Sequence, residues 1–573
     1  MKLAKRIDSR AALSCHEYLH KKHAEGLFDL TGAILEDPLL DALKKAGGEH
    51  EDRVIRYLRE LGIPYFQVDK TQSDEGVELQ TLDALNRDDI QMIFGASIGP
   101  YLELKLHGKE ISVRTSRPDI IICTGTSPEG RPLWAPVDIK SHEAIGENKS
   151  NSVYVTKLPE LKPDLTNKVT GRLSEKDSLQ LAHYVAHLKE IGFSDGTDFG
   201  GIIGRNFESI VWADLNDTFF GVGAKSESAN NKYLVQFTSA TKTIRSAIER
   251  SENPALPPVT ISRRVSGDFG CPACEFRDIC RKEMESFDNN FGHVTLLSEV
   301  TAPKAAEHFS HLEDIRSLAE AEGLSTFGMK SALRAQVWLD KTPRIIDPAN
   351  PPELATYDVE IDIDLENTQA IFHEAELEEV AVSDRVYLYG YGIHDRTVNP
   401  DWKSVELGYF DDYQNTDEGE LKVLNSMWQK LVDEVSKHEA AGKSVAIFHY
   451  SQHEVTWWRN YAEKYEGQEG VPTEEELMRF INRYFKDLYR ETKKIAFPLT
   501  GYSIKTLAKA AKFNWQVADA GGGNSLVKFQ TAISKLKPKA EQDEAIAWLR
   551  SYNADDVRAT FAVRNWVRQL SFD

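Results

Sequence analysis

The sequence predicts an α/β protein of more than one domain, and three observations predict it. Short apolar runs bounded by turn residues, such as Asp119–Cys123 and Gly200–Leu215, alternate with amphipathic segments such as Glu49–Leu61 and Asp177–Ile191. At 573 residues the chain is too long for a single core and holds the length of three or four domains. The run Asp347–Pro352, DPANPP, interrupts both helix and strand and marks a boundary. Composition is that of a soluble globular protein, 41% hydrophobic and 28% charged. No apolar run reaches about 18 residues, which predicts no membrane-spanning helix. The basic N-terminal stretch has no apolar core of a signal peptide, so a cytoplasmic protein is expected.

In chain order, Glu49–Leu61 reads as a helix with Val54, Ile55, Leu58 and Leu61 on one face and His50 in its first turn. Ser116–His142 reads as two strands joined by a turn at Gly125, Pro128, Gly130 and Pro132. Asp138 and Lys140 are two apart and share a strand face, and Asp119 can approach them from the neighbouring strand. Two carboxylates and a lysine at a strand end suit divalent-metal chemistry: the acids hold Mg²⁺ or Mn²⁺ and the lysine orients the attacking hydroxide. Taken alone, the same residues also describe an exposed hairpin with a surface ion pair. Lys149, Lys157, Lys162, Lys168, Arg172 and Lys176 form a local basic excess that reads equally as a polyanion contact or a solvated loop. Asp177–Ile191 is an amphipathic helix with Gln180 and Tyr184 four apart on one face. Gly200–Leu215 follows as a strand pair and Lys232–Arg250 as a helix.

Five cysteines make no disulfide framework. Cys271, Cys274 and Cys280 fall in one segment, Cys271-x2-Cys274-x5-Cys280, and Cys15 is the candidate fourth ligand. Cys123 sits in an apolar strand and reads as a core thiol. Four thiolates suit a [4Fe–4S] cluster or structural zinc. The spacing departs from the two-plus-two zinc patterns, which favours the cluster, with the role of stapling the ends of the first domain together.

An N-terminal cysteine, a helix with histidine, Pro118-Asp119 followed by Asp138-x-Lys140, Gln180-x3-Tyr184 and the terminal cysteine segment occur in that order. This resembles the RecB-type branch of the PD-(D/E)XK nucleases, and most of all the iron–sulfur nucleases of the AddB and four-cysteine CRISPR-adaptation type, over residues 1–285. The resemblance implies that His50, Asp119 and Asp138 ligate metal and that Lys140 is the catalytic lysine. It further implies that Gln180 and Tyr184 are the auxiliary motif and that Cys15, Cys271, Cys274 and Cys280 hold the cluster. Asp138 stands where many relatives carry glutamate.

Residues 286–350 read as a connector, helical over Ala302–Leu324 and weakly similar to helix-hairpin-helix linkers. Beyond it, Thr356–Glu366 alternates Glu360, Asp362, Asp364 and Glu366 with Ile361, Ile363 and Leu365. On a strand the acids line one face, which repels itself unless cations neutralise it. The alternative is a solvent-facing edge strand. The apolar strand Ser444–Phe448 leads to Glu454, and Gly501–Phe513 reads as a turn and helix. Tyr552 and Asp556 share a face of a late helix that continues to Arg568. His449, His453, Trp457 and Trp458 surround Glu454, as base-stacking or buried aromatics.

This order resembles the DEDDy exonucleases of the DnaQ-like, RNase H-fold group over residues 354–573. The resemblance implies Asp364 and Glu366 as the first motif, Glu454 as the second, in place of the usual aspartate, and Asp556 with Tyr552 as the last. Asp364, Glu366, Glu454 and Asp556 would then be metal ligands, and Tyr552 would position the attacking water. Glu360/Asp362 and Asp362/Asp364 are the other registers of the first motif.

The expected architecture is therefore a PD-(D/E)XK core with an iron–sulfur staple, a helical linker and a C-terminal RNase H-like domain. The expected activity is metal-dependent hydrolysis of DNA from ends or single strands, in repair, recombination or defence. The alternatives are a ribonuclease, or a nucleic-acid-binding protein with one domain inactive. A net charge of −21 excludes a general polyanion-coating protein but not a nuclease that works through metal ions. The chain carries no Walker A motif, so any unwinding falls to a helicase partner.

Overall fold

The computed structural model describes residues 5–8, 13–24, 27, 38–106, 109–146, 151–217, 227–256, 274–368, 384–399, 406–517 and 522–572. The two apolar runs of the Ser116–His142 segment form strands Ile120–Thr126 and Pro132–Ile139, paired antiparallel. They lie inside an eight-stranded mixed sheet. Its order is Tyr65–Gln67, Met92–Phe94, Ile120–Thr126, Pro132–Ile139, Phe199–Ile203, Ser209–Asp214, Ser152–Lys157, Lys168–Thr170. Ile120, Ile121, Val137 and Ile139 are buried, so the hairpin is a core element and not an exposed one. The helix Glu175–Glu190 lies on the parallel pair Pro132–Ile139 and Phe199–Ile203. Ser174 starts it by accepting a hydrogen bond from the Asp177 amide at 3.1 Å.

The helix expected over Glu49–Leu61 runs instead from Pro38 to Glu60. Gly47 and Gly48 lie just before the expected start, yet neither has a positive φ, and the helix passes through them at a propensity cost of about 1 kcal/mol each. His50 therefore sits mid-helix. Val54 and Leu58 of the same helix pack on Val137 and Ile139, which sets its preceding turn, with His50 and Glu51, over the strand ends.

The connector is also broken where one helix was expected. Ala302–Phe309 and Ile315–Glu320 are separate, because Asp314 caps the second by accepting from the Ser317 amide at 2.7 Å. With Thr326–Asp340 they close a small core around Leu296, Phe309, Ile315, Leu318 and Ala335. The connector then joins the C-terminal domain: Arg344–Ile345 pairs antiparallel with Ile495–Ala496. The Ile346 amide donates to the Lys494 carbonyl at 2.8 Å, and Lys494 Nζ to the Pro351 carbonyl at 3.3 Å.

The C-terminal sheet has the order Glu406–Asp411, Val386–Asp395, Val359–Asn367, Val445–His449, Phe485–Asp487. The first three pair antiparallel and the last two join in parallel. The acidic strand Val359–Asn367 is thus central, not an edge. Its apolar residues Ile361, Ile363 and Leu365 pack with Leu424, Met427 and Leu431 of the helix Asp417–Ala440. Its acids face the helix Lys539–Arg568. Helix and strand run in opposite senses: Asn553 meets Asp364, and Arg564, three turns later, meets Asp362 and Glu360. Among the described residues no helix is long and apolar enough to cross a membrane.

Candidate metal centre and a second acidic site

The self-repulsion of four acids on one strand is resolved in two ways. Glu360 and Asp362, both fully buried, are neutralised by Arg564, which donates to Glu360 through Nη1 and grips Asp362 from 2.5 and 3.3 Å. Arg568 adds a bond to Glu360 at 3.0 Å. Burial pushes Asp362 up and Arg564 down, but a guanidinium does not deprotonate in proteins, and the two-pronged geometry keeps the pair ionic. Asp364 and Glu366 have no such partner. With Asp556 they form the one group among the described residues whose three ligand atoms, of the kinds that bind metal, lie within 4.8 Å of one another.

Two side chains of this group, Asp364 and Asp556, are held by neighbouring donors. Asn553 Nδ2 donates to Asp364 at 2.8 Å, and Trp515 Nε1 donates to Asp556 at 2.6 Å. A Cβ at Gly390, on the neighbouring strand, would collide with the Asn553 carboxamide, so glycine there makes room for it. Burial and then the charge of Asp556 raise Asp364 well above the usual carboxylate range. The same two causes push Glu366 up to about 8. Burial takes Asp556 to about 6 against the Trp515 bond and Lys505. Carboxylates crowded this way want a cation. Glu454, 3% exposed at the start of the helix His453–Lys464, adds its charge to Asp364 from just outside the triad, and its Oε2 has no hydrogen-bond partner. Tyr552 borders Asp556, and burial followed by the repulsion of Asp556 keeps its phenol protonated. Trp458 is a core residue whose ring lies tilted against Tyr389 at 5.3 Å, whereas His453 is exposed and meets Asn367 at 3.1 Å. His449 is buried and contacts the Ser451 carbonyl at 2.6 Å, and Trp457 is half-buried beside His453.

Residues 402–568 match the family model of the RNase H superfamily, RNase_H_2. The match supports an RNase H-like C-terminal domain, a fold of metal-dependent nucleases that act on nucleic acid. It begins after the central acidic strand, so Asp364 and Glu366 join this domain through the sheet and not through the matched segment. No curated protein matches the chain, and no solved structure does.

The N-terminal residues singled out in the sequence also come together. Asp119 Oδ2 accepts from the Ile139 amide at 2.8 Å. Lys140 Nζ donates to Asp138 at 2.7 Å and to Gln180 at 3.0 Å, Gln180 donates to the Tyr184 hydroxyl at 2.6 Å, and Tyr184 donates to the Arg117 carbonyl at 3.3 Å. Burial, then Asp138 and Glu51, push Asp119 far up. Burial opposes the charge of Lys140, but contact with Asp138 outweighs it and the ammonium is stabilised. His50 is buried, burial and then Arg53 lower its pKa, and its Nε2 has no hydrogen-bond partner. His50, Asp119 and Asp138 do not reach the 4.8 Å spacing of the C-terminal triad, and one oxygen of Asp138 is bonded to Lys140. Lys157, Lys162, Lys168, Arg172 and Lys176 are exposed, and Lys149 lies outside the described residues.

Three of the four cysteines lie on or beside the helices His16–His23 and Arg277–Glu285, though their sulfurs do not all come within 4.8 Å of one another. Cys15 precedes the helix His16–His23, and Cys274 and Cys280 flank the start of Arg277–Glu285. Lys21 pairs with Glu283 at 2.7 Å and the Tyr18 and Phe276 rings meet edge-on at 5.7 Å. Burial raises the Cys274 thiol, with Cys15 adding to it, and pushes Cys280 up to about 12. Cys271 lies outside the described residues. Cys123 stands apart in its strand, its thiol 3.4 Å from the Gly125 carbonyl.

Several site residues carried no signal in the sequence. Glu51 adjoins His50, and Asp177 stands one turn before Gln180, 4.0 Å from Lys140 and 3.3 Å from His142. Asn553, Trp515, Ser525 and Lys505 surround the C-terminal acids. Only Asn553, beside Tyr552, and Arg564, eight residues after Asp556, sat at helical spacings that a search for partners of the acidic strand would have reached.

Proposed function

We propose that this chain is a metal-dependent nuclease whose C-terminal domain hydrolyses phosphodiester bonds of DNA, from ends or on single strands, in the manner of DEDDy exonucleases. The convergence of Asp364, Glu366 and Asp556 within an RNase H-like domain, with Glu454 buried beside them and facing His449 at 3.5 Å, carries the reading. A pair of Mg²⁺ or Mn²⁺ ions bound there supplies an activated water and charge stabilisation on the phosphate. Asp364, Glu366, Asp556 and Glu454 would hold the metal. Asn553 and Trp515 fix the orientation of two of these carboxylates, and Tyr552 offers a neutral hydroxyl to the attacking water.

In the same reading the N-terminal domain is RecB-like, with His50, Asp119 and Asp138 as ligands, Lys140 orienting hydroxide, and Gln180 with Tyr184 aiming Lys140. Cys15, Cys271, Cys274 and Cys280 would hold a [4Fe–4S] cluster, zinc being the alternative, and the ion pair of Lys21 with Glu283 beside Cys15 and Cys280 is consistent with a staple between these helices. A helicase partner would supply unwinding. A second reading of the N-terminal site, as a platform that grips the strand without cutting, is favoured by the tight Lys140–Asp138 pair at 2.7 Å.

The test is an assay with Mn²⁺ or Mg²⁺ on end-labelled single- and double-stranded DNA and on RNA, comparing wild type with Asp138→Ala and Asp556→Ala. Loss in Asp556→Ala alone supports cutting by the C-terminal site and gripping by the other. Loss in both supports two sites on one substrate, and cutting of RNA alone makes the protein a ribonuclease. No cutting with metal present overturns the nuclease reading. Anaerobically purified protein that is colourless with stoichiometric zinc rules out the cluster.

A further inference from the structure

We propose that Lys505 is a positioning residue of the C-terminal site, acting through Tyr552 to set the direction of its phenolic hydrogen. This rests on the reading of that site as a metal-dependent nuclease centre.

Lys505 is the second residue of the helix Ile504–Ala510. Ser503 fixes the start of that helix by accepting from the Thr506 amide at 3.2 Å. Leu507 and Ala508, fully buried, pack with Ala559 and Val563 of the long C-terminal helix that also carries Tyr552 and Asp556. Backbone and core thus hold Lys505 and Tyr552 in one rigid relation. Lys505 Nζ lies 3.3 Å from the Tyr552 hydroxyl, 5.3 Å from the centre of its ring and 6.0 Å from that of Trp515. Its charge acts on both Glu366 and Asp556.

An ammonium only donates hydrogen bonds, so the phenol oxygen must accept from Lys505. The one phenolic hydrogen is then left for Asp556, with which the hydroxyl forms a hydrogen bond. Without Lys505 the hydroxyl keeps only its bond to Asp556 and loses the donor that fixes its acceptor side, while the carboxylate geometry, held by Asn553 and Trp515, stays as it is. The role is therefore one of aim and not of metal binding.

The experiment uses the full chain in an Asp138→Ala background, with Mn²⁺ and 5′-labelled single-stranded DNA. Lys505→Met should lower kcat by about 10- to 100-fold, the range for a positioned proton-handling group, with KM within about twofold. Lys505→Arg should recover most of the loss. Tyr552→Phe should lower kcat similarly, and Lys505→Met/Tyr552→Phe should be no slower than Tyr552→Phe alone within about twofold. Losses that multiply overturn the proposal. Calorimetry gives a readout without turnover: Mn²⁺ should bind Lys505→Met at least as tightly as wild type, because a cation beside the carboxylates is gone. Binding weakened by about tenfold or more would mean that Lys505 props the acids, and overturns the positioning role. Activity that survives Asp556→Ala removes the nuclease reading of this site, and the role of Lys505 with it; activity that needs Asp556 but shows multiplying losses removes only the latter.

Discussion

Arg564→Met removes the guanidinium from beneath the acidic strand and leaves Asp362 fully buried without its two-pronged partner, while Glu360 keeps Arg568 at 3.0 Å. Removing one partner of a buried ion pair costs about 3–5 kcal/mol. The figure has an independent bound. The stranded carboxyl can escape by taking up a proton, which at pH 7 costs about 1.4 kcal/mol for each of roughly three units above its ordinary pKa, or about 4 kcal/mol. In a domain of this size that lowers the thermal midpoint by about 10 °C. The variant's Asp362 has a raised folded-state pKa, so its stability is fullest below the unfolded value near 4 and is lost as pH rises. At pH 5 the protonation cost falls to about 1.4 kcal/mol, so roughly 2.7 kcal/mol of the defect should disappear. Denaturant unfolding at pH 5 and pH 7 measures this, and Asp362→Asn/Arg564→Met should recover most of the loss at pH 7. A cost under about 1 kcal/mol, or one independent of pH, would refute the account of Arg564 as the counter-charge of a buried acid.

Other outcomes follow from the same geometry. Glu366, raised from 4.5 to about 8, stabilises the metal-free fold below its unfolded value and loses that contribution as pH climbs through 8, so the metal-free thermal midpoint should fall between pH 5 and 8 and Mn²⁺ should restore it. Mn²⁺ binding should release protons from the triad, more at pH 7 than at pH 9, read by calorimetry in buffers of different ionisation heat. Gly390→Ala should cost about 1–3 kcal/mol and slow cleavage, because it displaces Asn553 from Asp364; unchanged thermal unfolding would contradict the close approach. Lys140→Met should leave the His142–Asp177 pair in place but strand Asp138, lowering any N-terminal activity by about 100-fold or more, which a DNA assay in an Asp556→Ala background reads.

What the sequence made legible was periodic. Strand alternation announced the acidic stripe and put Asp364 and Glu366 on one face, and helical spacing placed Tyr552 with Asp556. The Asp138-x-Lys140 spacing and the Gln180–Tyr184 spacing gave the hydrogen-bonded chain seen in the N-terminal domain. What stayed hidden was long-range. Nothing local tells that Val359–Asn367 is central and not an edge, because a stripe of acids looks solvent-facing until Arg564, some two hundred residues later, is brought against it. Lys505 and Trp515 reach the site only through tertiary packing. The glycines at 47 and 48, for a different reason, do not stop the helix: helix propensity is a weak prior, and apolar packing of Val54 and Leu58 overrides it.

The prolines of Asp347–Pro352 look like a hinge, yet this stretch works as a rivet. Arg344–Ile345 is sewn to Ile495–Ala496, Lys494 grips Pro351, and the Glu353 amide is held by Glu491 at 2.6 Å. Lys493 reaches back to Glu299 at 3.3 Å. Mechanically, then, the connector belongs to the C-terminal half, and force applied between the chain's two halves is not relieved at the prolines. Limited proteolysis should spare this stretch and release a fragment that carries the connector, and a C-terminal half truncated at residue 354 should be less stable than one that begins before residue 284.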